Sequence, residues 1–126
     1  MRVLALLVLL AGCIGGDETV SKYIDHPKWQ VVSLNGAPLV GATLDLSEPG
    51  RVSGRAHCNQ YFAEQSAPYP WFKVGPIGAT RMACPDLENE QAYFDALSSM
   101  TLAEANGPVL ILSNDDGDAL VFEPAP

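Results

Sequence analysis

From Lys28 onward the chain is a succession of short β-rich runs, each cut off by a turn signal, and this punctuation constrains the fold more than any other feature. "KWQVVSL" (28–34) predicts a strand and runs into Asn35-Gly36, a strong hairpin signal. In "ATLDLS" (42–47), Leu44 and Leu46 alternate with Thr43 and Asp45, which predicts a strand with one apolar face. "EPG" (48–50) marks a turn, and "RVSGRAH" (51–57) returns as a strand in which Gly54 predicts a bulge or a close backbone approach. "WFKVGPI" (71–77) predicts a further strand, shortened by Pro76. "TLAEAN", "VLILS" and "ALVFE" follow, separated by "NGP" and "NDDGD", and the last two predict a closing hairpin.

One segment has helical spacing, "DLENEQAYFDALSSM" (86–100). Pro85 prevents its extension backwards, Asp86 is placed to cap it, and Glu88 and Glu90 suit its positive end as solvated residues. Leu87, Phe94, Leu97 and Met100 recur at roughly helical intervals and predict the buried face. A single amphipathic helix against antiparallel strands predicts a mainly β domain.

Ahead of the domain stands "MRVLALLVLLAGC". One Arg, a short apolar core and small residues before a Cys describe a secretory signal, and the apolar run is too short to span a bilayer, which takes about 20 residues. The ending "LAGC" resembles a bacterial lipobox. That resemblance implies a signal peptide over 1–12, cleavage before Cys13 and acylation of Cys13, with the chain anchored to a membrane by its lipid. Ile14 rather than Asp follows the Cys, which resembles the outer-membrane sorting pattern, so the expected location is the cell envelope, outer membrane, facing the periplasm. Residues 13–26 are expected to be a flexible tether, and the domain to occupy 27–124.

At 126 residues the chain is long enough for one domain and a short extension. Its formal charge is −8, with 7 Lys+Arg against 15 Asp+Glu, and loss of Arg2 with the leader makes it −9. This excludes the clustered basic surface that nucleic acid requires, and it supplies no polybasic patch for anionic lipid.

With Cys13 acylated, Cys58 and Cys84 remain, in an oxidising compartment where paired cysteines usually join. A Cys58–Cys84 disulfide is the leading reading, contributing about 3.5 kcal/mol on the chain-entropy model. Two others compete with it. A zinc site could draw on His26, His57, Cys58 and Cys84, but the spacing lacks a Cys or His motif. A catalytic thiol at Cys58 needs a base, and His57, its neighbour, points to the opposite face of a strand. "NDDGD" (114–118) has contiguous acids without the alternation of a calcium loop and reads as a solvated hairpin turn. No metal and no cofactor is expected.

Two stretches, "SGRAHCNQYF" and "IGATRMACPDLENEQAYFDAL", carry a resemblance to the META/HslJ-like domain family (formerly DUF306). The matching positions are Trp29, Leu34, Asn35 and Gly36; Ser53, Gly54, Cys58, Asn59 and Tyr61; Thr80, Arg81, Met82 and Cys84; and Glu90, Phe94 and Leu97. The resemblance spans about residues 27–123. It implies a small, partly open antiparallel β-barrel with one packed α-helix. It also implies an envelope lipoprotein of the HslJ type, with a heat-shock and drug-tolerance association, novobiocin resistance included, and no enzyme activity. His57 departs from the small residue usual before the Cys, and "AEQSAPYPW" (63–71) is unusually Pro-rich.

Asn59, Tyr61, Thr80, Arg81 and Met82 are therefore the candidate motif residues, structural or binding. Tyr69, Trp71 and Phe72 are candidate loop aromatics and with Tyr61 are expected to form an exposed aromatic group flanking the Pro-rich segment, one of Trp71 and Phe72 being core because strand neighbours face opposite ways. The expected function is binding without turnover, of an envelope protein or a small amphipathic ligand, by a monomer. The alternatives are a thiol-redox protein or an inhibitor of a secreted hydrolase such as lysozyme, a basic target that an acidic domain suits.

Overall fold

The computed structural model describes residues 18–126. The expected signal peptide (1–12) and lipidation site Cys13 lie outside the described residues. Nine strands and one α-helix follow in order: β1 (Lys28–Leu34), β2 (Ala37–Pro38), β3 (Thr43–Asp45), β4 (Arg51–Arg55), β5 (Gln60–Glu64), β6 (Gly78–Ala79), α1 (Leu87–Ser99), β7 (Leu102–Asn106), β8 (Val109–Ser113) and β9 (Ala119–Pro124). All strand pairs are antiparallel, in the order β6-β5-β4-β3-β1-β9-β8-β7, with β2 paired to β1 beside this path.

β1 is the centre of the sheet because its neighbours come from both ends of the domain. Trp29 stands opposite Leu44 on one side and Pro124 on the other. The Asn35-Gly36 turn that ends β1 has both residues at positive φ, 53° and 82°, as a type I′ turn demands. The Asn35 side chain also reaches the last hairpin, donating to Asp118 Oδ1 and accepting the Ala119 N–H. The "NDDGD" stretch is the expected turn, with Asn114 Oδ1 accepting the N–H groups of Asp116 and Asp118.

Inward positions alternate as the pleat requires: Leu44 and Leu46, Tyr61 and Ala63, Leu110 and Leu112, Leu120 and Phe122 are all buried around the fully buried Trp29. Gly54 lies where β4 runs close to β3, and a Cβ there would sit 2.4 Å from the Thr43 carbonyl oxygen. The close approach expected of this glycine is therefore real.

The sheet does not close through a continuous ladder. Residues 66–77 form a strap across the gap, held by single bridges, Val74 to Gln65 just after β5 on one side and Trp71 to Leu102 of β7 on the other. The expected strand over 71–77 is thus reduced to two bridges. Pro70 and Pro76 have no N–H to give, and the Lys73 N–H is taken by the buried Gln65 side chain at 2.9 Å rather than by a strand. The same Gln65 oxygen accepts the Ala67 N–H.

The expected tether ends earlier than residue 26. A 3-10 turn at Val20–Tyr23 packs on the domain, Val20 is fully buried, and the Glu18 carbonyl accepts the Tyr69 N–H at 2.7 Å. One apolar side chain in a polar segment suffices, because the strap offers it a place in the core.

Helix α1 lies close to the expected span, but its inward face shares only Leu97 and Met100 with the expected one. Its buried residues are Glu90, Tyr93 and Leu97, with Met100 buried just beyond its end, whereas Leu87 is exposed and Phe94 half-buried. Asp86 occupies the N-cap position without a capping hydrogen bond from its side chain. Glu90 is not solvated as expected but buried, at 5 % exposure.

Candidate functional site

The buried Glu90 is the hub of the motif residues. Arg55 ends β4, and the chain turns through Ala56–Asn59 into β5. That turn aims two backbone N–H groups inward, and Glu90 Oε1 accepts both, from Cys58 and Asn59 at 2.8 Å each. Glu90 Oε2 accepts the Asn59 side-chain Nδ2 at 2.6 Å. The other side of the Asn59 amide continues the chain of bonds: its Oδ1 accepts the Thr80 hydroxyl at 2.9 Å and the Met82 N–H at 2.6 Å. Thr80 Oγ1 in turn accepts the Gln60 N–H. Helix, turn and the segment after β6 are thereby joined through one carboxylate and one amide.

Burial alone would raise the Glu90 carboxyl. The hydrogen bonds from the Asn59 side chain and from the backbones of Cys58 and Asn59, with the charge of His57, outweigh it and hold Glu90 below its ordinary 4.5. An anion that accepts three hydrogen bonds in a buried site is satisfied, not reactive. Its chemistry is that of a structural joint.

Cys58 and Cys84 are joined in a disulfide with Cα atoms 6.1 Å apart, so the leading reading of "HCNQYF" is borne out. The bond ties the same turn to the segment carrying Thr80, Arg81 and Met82. It also removes both thiolates from any zinc set, and among the described residues no three His, Cys, Asp or Glu side chains are grouped to hold a metal. His57 takes no part in the hydrogen bonds of this joint. Its ring packs on Gly41, where a Cβ would come within 2.8 Å of His57 Cδ2, and both ring nitrogens are buried without a hydrogen-bond partner among the described residues.

Tyr61 is a core residue. Its hydroxyl lies 2.6 Å from the Thr43 carbonyl and 2.7 Å from the Tyr93 hydroxyl, and its ring meets Tyr93 and Phe94 edge-on. Burial, reinforced by their mutual contact at Tyr61, pushes the Tyr61 phenol well above 10.0, and burial also raises Tyr93.

The expected loop aromatics do not form one exposed group. Phe72 is core. Tyr69 is half-buried and works as a brace: its hydroxyl accepts the Ala105 N–H at 3.0 Å, and its ring stacks on Tyr23. Trp71 alone is largely exposed.

What the joint leaves open is a groove of about 460 Å³ between the 77–83 segment and the start of α1. Ile77, Met82, Leu87 and Phe94 give it apolar walls, and Arg81 and Gln91 stand along it. Met82 and Leu87 are exposed here, while Asn59 and Glu90 lie in its floor. The structure thus brings Asn59, Thr80, Arg81 and Met82 together at one place and separates Tyr69, Trp71 and Phe72 from it.

Glu90, Tyr93 and Gln65 are the residues that sequence reasoning missed as interior. A signal existed for each. Glu90, Tyr93, Leu97 and Met100 keep a three-four-three spacing, and Gln65 continues the inward alternation of Tyr61 and Ala63.

Fold and joint together define a class: an incompletely closed antiparallel β-barrel whose single helix is docked through a buried carboxylate. The chain matches the META domain over residues 22–126 and belongs to that family. It is similar to a protein from Burkholderia xenovorans solved by NMR, at 25% identity and TM-score 0.63, covering 90% of this chain and 93% of that one. It is also similar in fold to a DUF4847 family protein from Bacteroides vulgatus, at 13% identity and TM-score 0.66, covering 84% and 97%. Among curated proteins, none matches the chain.

Proposed function

We propose that the protein is a non-enzymatic envelope lipoprotein of the HslJ type, anchored through Cys13, that acts by binding a small amphipathic ligand and contributes in that way to stress or drug tolerance. The observation that carries this reading is the groove beside α1. Apolar side chains left in water, one cationic group and a rigid hydrogen-bonded floor are what a pre-formed site for an amphipathic anion needs. The saturated Glu90 and the disulfide-bonded Cys58, which is buried, offer no general base and no free nucleophile at this groove.

The probe is 8-anilinonaphthalene-1-sulfonate, titrated into residues 18–126 and followed by fluorescence. Saturable binding is expected, weakened by Met82→Glu and by Arg81→Glu, whose side chains are exposed and carry little of the fold. Absence of saturable binding, or binding indifferent to both substitutions, would sink the reading.

A further inference from the structure

The domain's entry point carries a second exposed surface, remote in chemistry from the joint. The Glu18 carbonyl is bonded to the Tyr69 N–H of the strap, and Tyr23 stacks on Tyr69 with ring centroids 4.5 Å apart and planes 16° from parallel. Trp71 is two residues beyond Tyr69, so their Cα atoms lie within about 7 Å. Both outer rings face water: Tyr23 is 49% and Trp71 57% exposed. Burial alternates along the strap, with Phe72 and Val74 inward, which sets Lys73 on the same outward side as Trp71. Lys22 is exposed beside Tyr23, and Glu18 is exposed at the margin.

We propose that this face, Tyr23 and Trp71 with Lys22 and Lys73, rests on the headgroup layer of a lipid bilayer and orients the domain on its own membrane. The proposal rests on the lipid anchor at Cys13. Five residue steps separate Cys13 from Glu18, a reach of at most about 18 Å even when fully extended. An acyl anchor therefore keeps Glu18, to which the strap is bonded at Tyr69, within that distance of the lipid surface, whatever path the chain takes. Trp and Tyr are the side chains that settle at headgroup depth, because each joins an apolar ring to a polar tip. The two lysines can place their methylenes along the interface and their ammonium groups at lipid phosphates. The acyl chains hold the protein to the membrane; the aromatic face decides which way it stands.

Trp29 is fully buried, so membrane contact alters tryptophan emission through Trp71. The full chain is exported in a bacterium, its acylation read by mass, and reconstituted into phosphatidylcholine vesicles with and without brominated acyl chains. The expected result is emission at shorter wavelength than that of the unacylated Cys13→Ser chain in solution, quenched by bromolipid, with the quenching lost in Trp71→Phe. An acylated, vesicle-bound chain whose Trp71 emission is neither shifted nor quenched overturns the docking while leaving the anchor standing. A chain that proves unacylated overturns the anchor and the docking with it.

Discussion

Glu90 and Asn59 hold each other in place: the carboxylate accepts both the backbone N–H and the side-chain amide of Asn59, at 2.8 and 2.6 Å. The pair sits where helix α1, the β4–β5 turn and the 80–83 segment meet, and it accepts backbone N–H groups of the turn and of the segment. Glu90→Ala leaves the N–H groups of Cys58 and Asn59 buried without acceptors. The expected loss is about 3 kcal/mol, read from urea unfolding midpoints.

The same carboxylate makes stability depend on pH. Glu90 is held below its ordinary 4.5 in the fold, so its contribution is fully present above that value and is lost as pH falls through the folded-state value. Wild type should lose stability on acidification from 4.5 downward, and Glu90→Gln should lose that part of the slope. Equal slopes in the two proteins would show that Glu90 is not the linked group.

Asn59→Asp sets a second carboxylate against the first. Two such groups at hydrogen-bond distance cannot both ionise cheaply, so one proton is retained and the pair's upper apparent value rises. This variant should be much less stable than wild type at neutral pH and should narrow the gap as pH falls, a trend opposite to that of Glu90 in the parent.

Gly54→Ala tests the close approach of β3 and β4. A Cβ 2.4 Å from the Thr43 carbonyl forces the strands apart, and a cost of about 2–3 kcal/mol is expected. Gly75→Ala, whose added Cβ meets nothing within 4 Å, should stay within about 0.5 kcal/mol of wild type. Thermal denaturation of the two side by side separates a steric effect from a general intolerance of alanine.

The disulfide spans a sequence separation of 26. Its replacement by Cys58→Ser with Cys84→Ser should cost about 3.5 kcal/mol on the chain-entropy model, matched by reductant acting on the wild type. Oxidised wild type should also weigh two hydrogens less than its reduced form.

Much of the architecture was legible in the chain because strands and turns are written locally. β1 and β8 fall where the runs "KWQVVSL" and "VLILS" predict them, and Asn35-Gly36 makes the turn its dipeptide demands. The pairing of Cys58 with Cys84 was legible too, since the expected acylation of Cys13 leaves only these two cysteines to join. The interior role of Glu90 was not. A glutamate in the first turn of a helix has an ordinary solvated place, and only the β4–β5 turn brought against it supplies the three donors that make burial tolerable.

Local pattern by itself determined β1, β8, the turns and the span of the helix, because each depends on residues a few positions apart, but not the strap, whose expected strand survives as two bridges. Tertiary structure alone decided which polar groups go inside and which aromatic groups stay out. Gln65 is buried because the strap presents it with the Ala67 and Lys73 N–H groups. Tyr69 became a brace because the first turn of the domain folds back upon it, while Trp71, two residues on, kept its ring in water. Burial of Glu90 depends on donors 31 and 32 residues back in the chain, and those partners exist only once the barrel has brought them together.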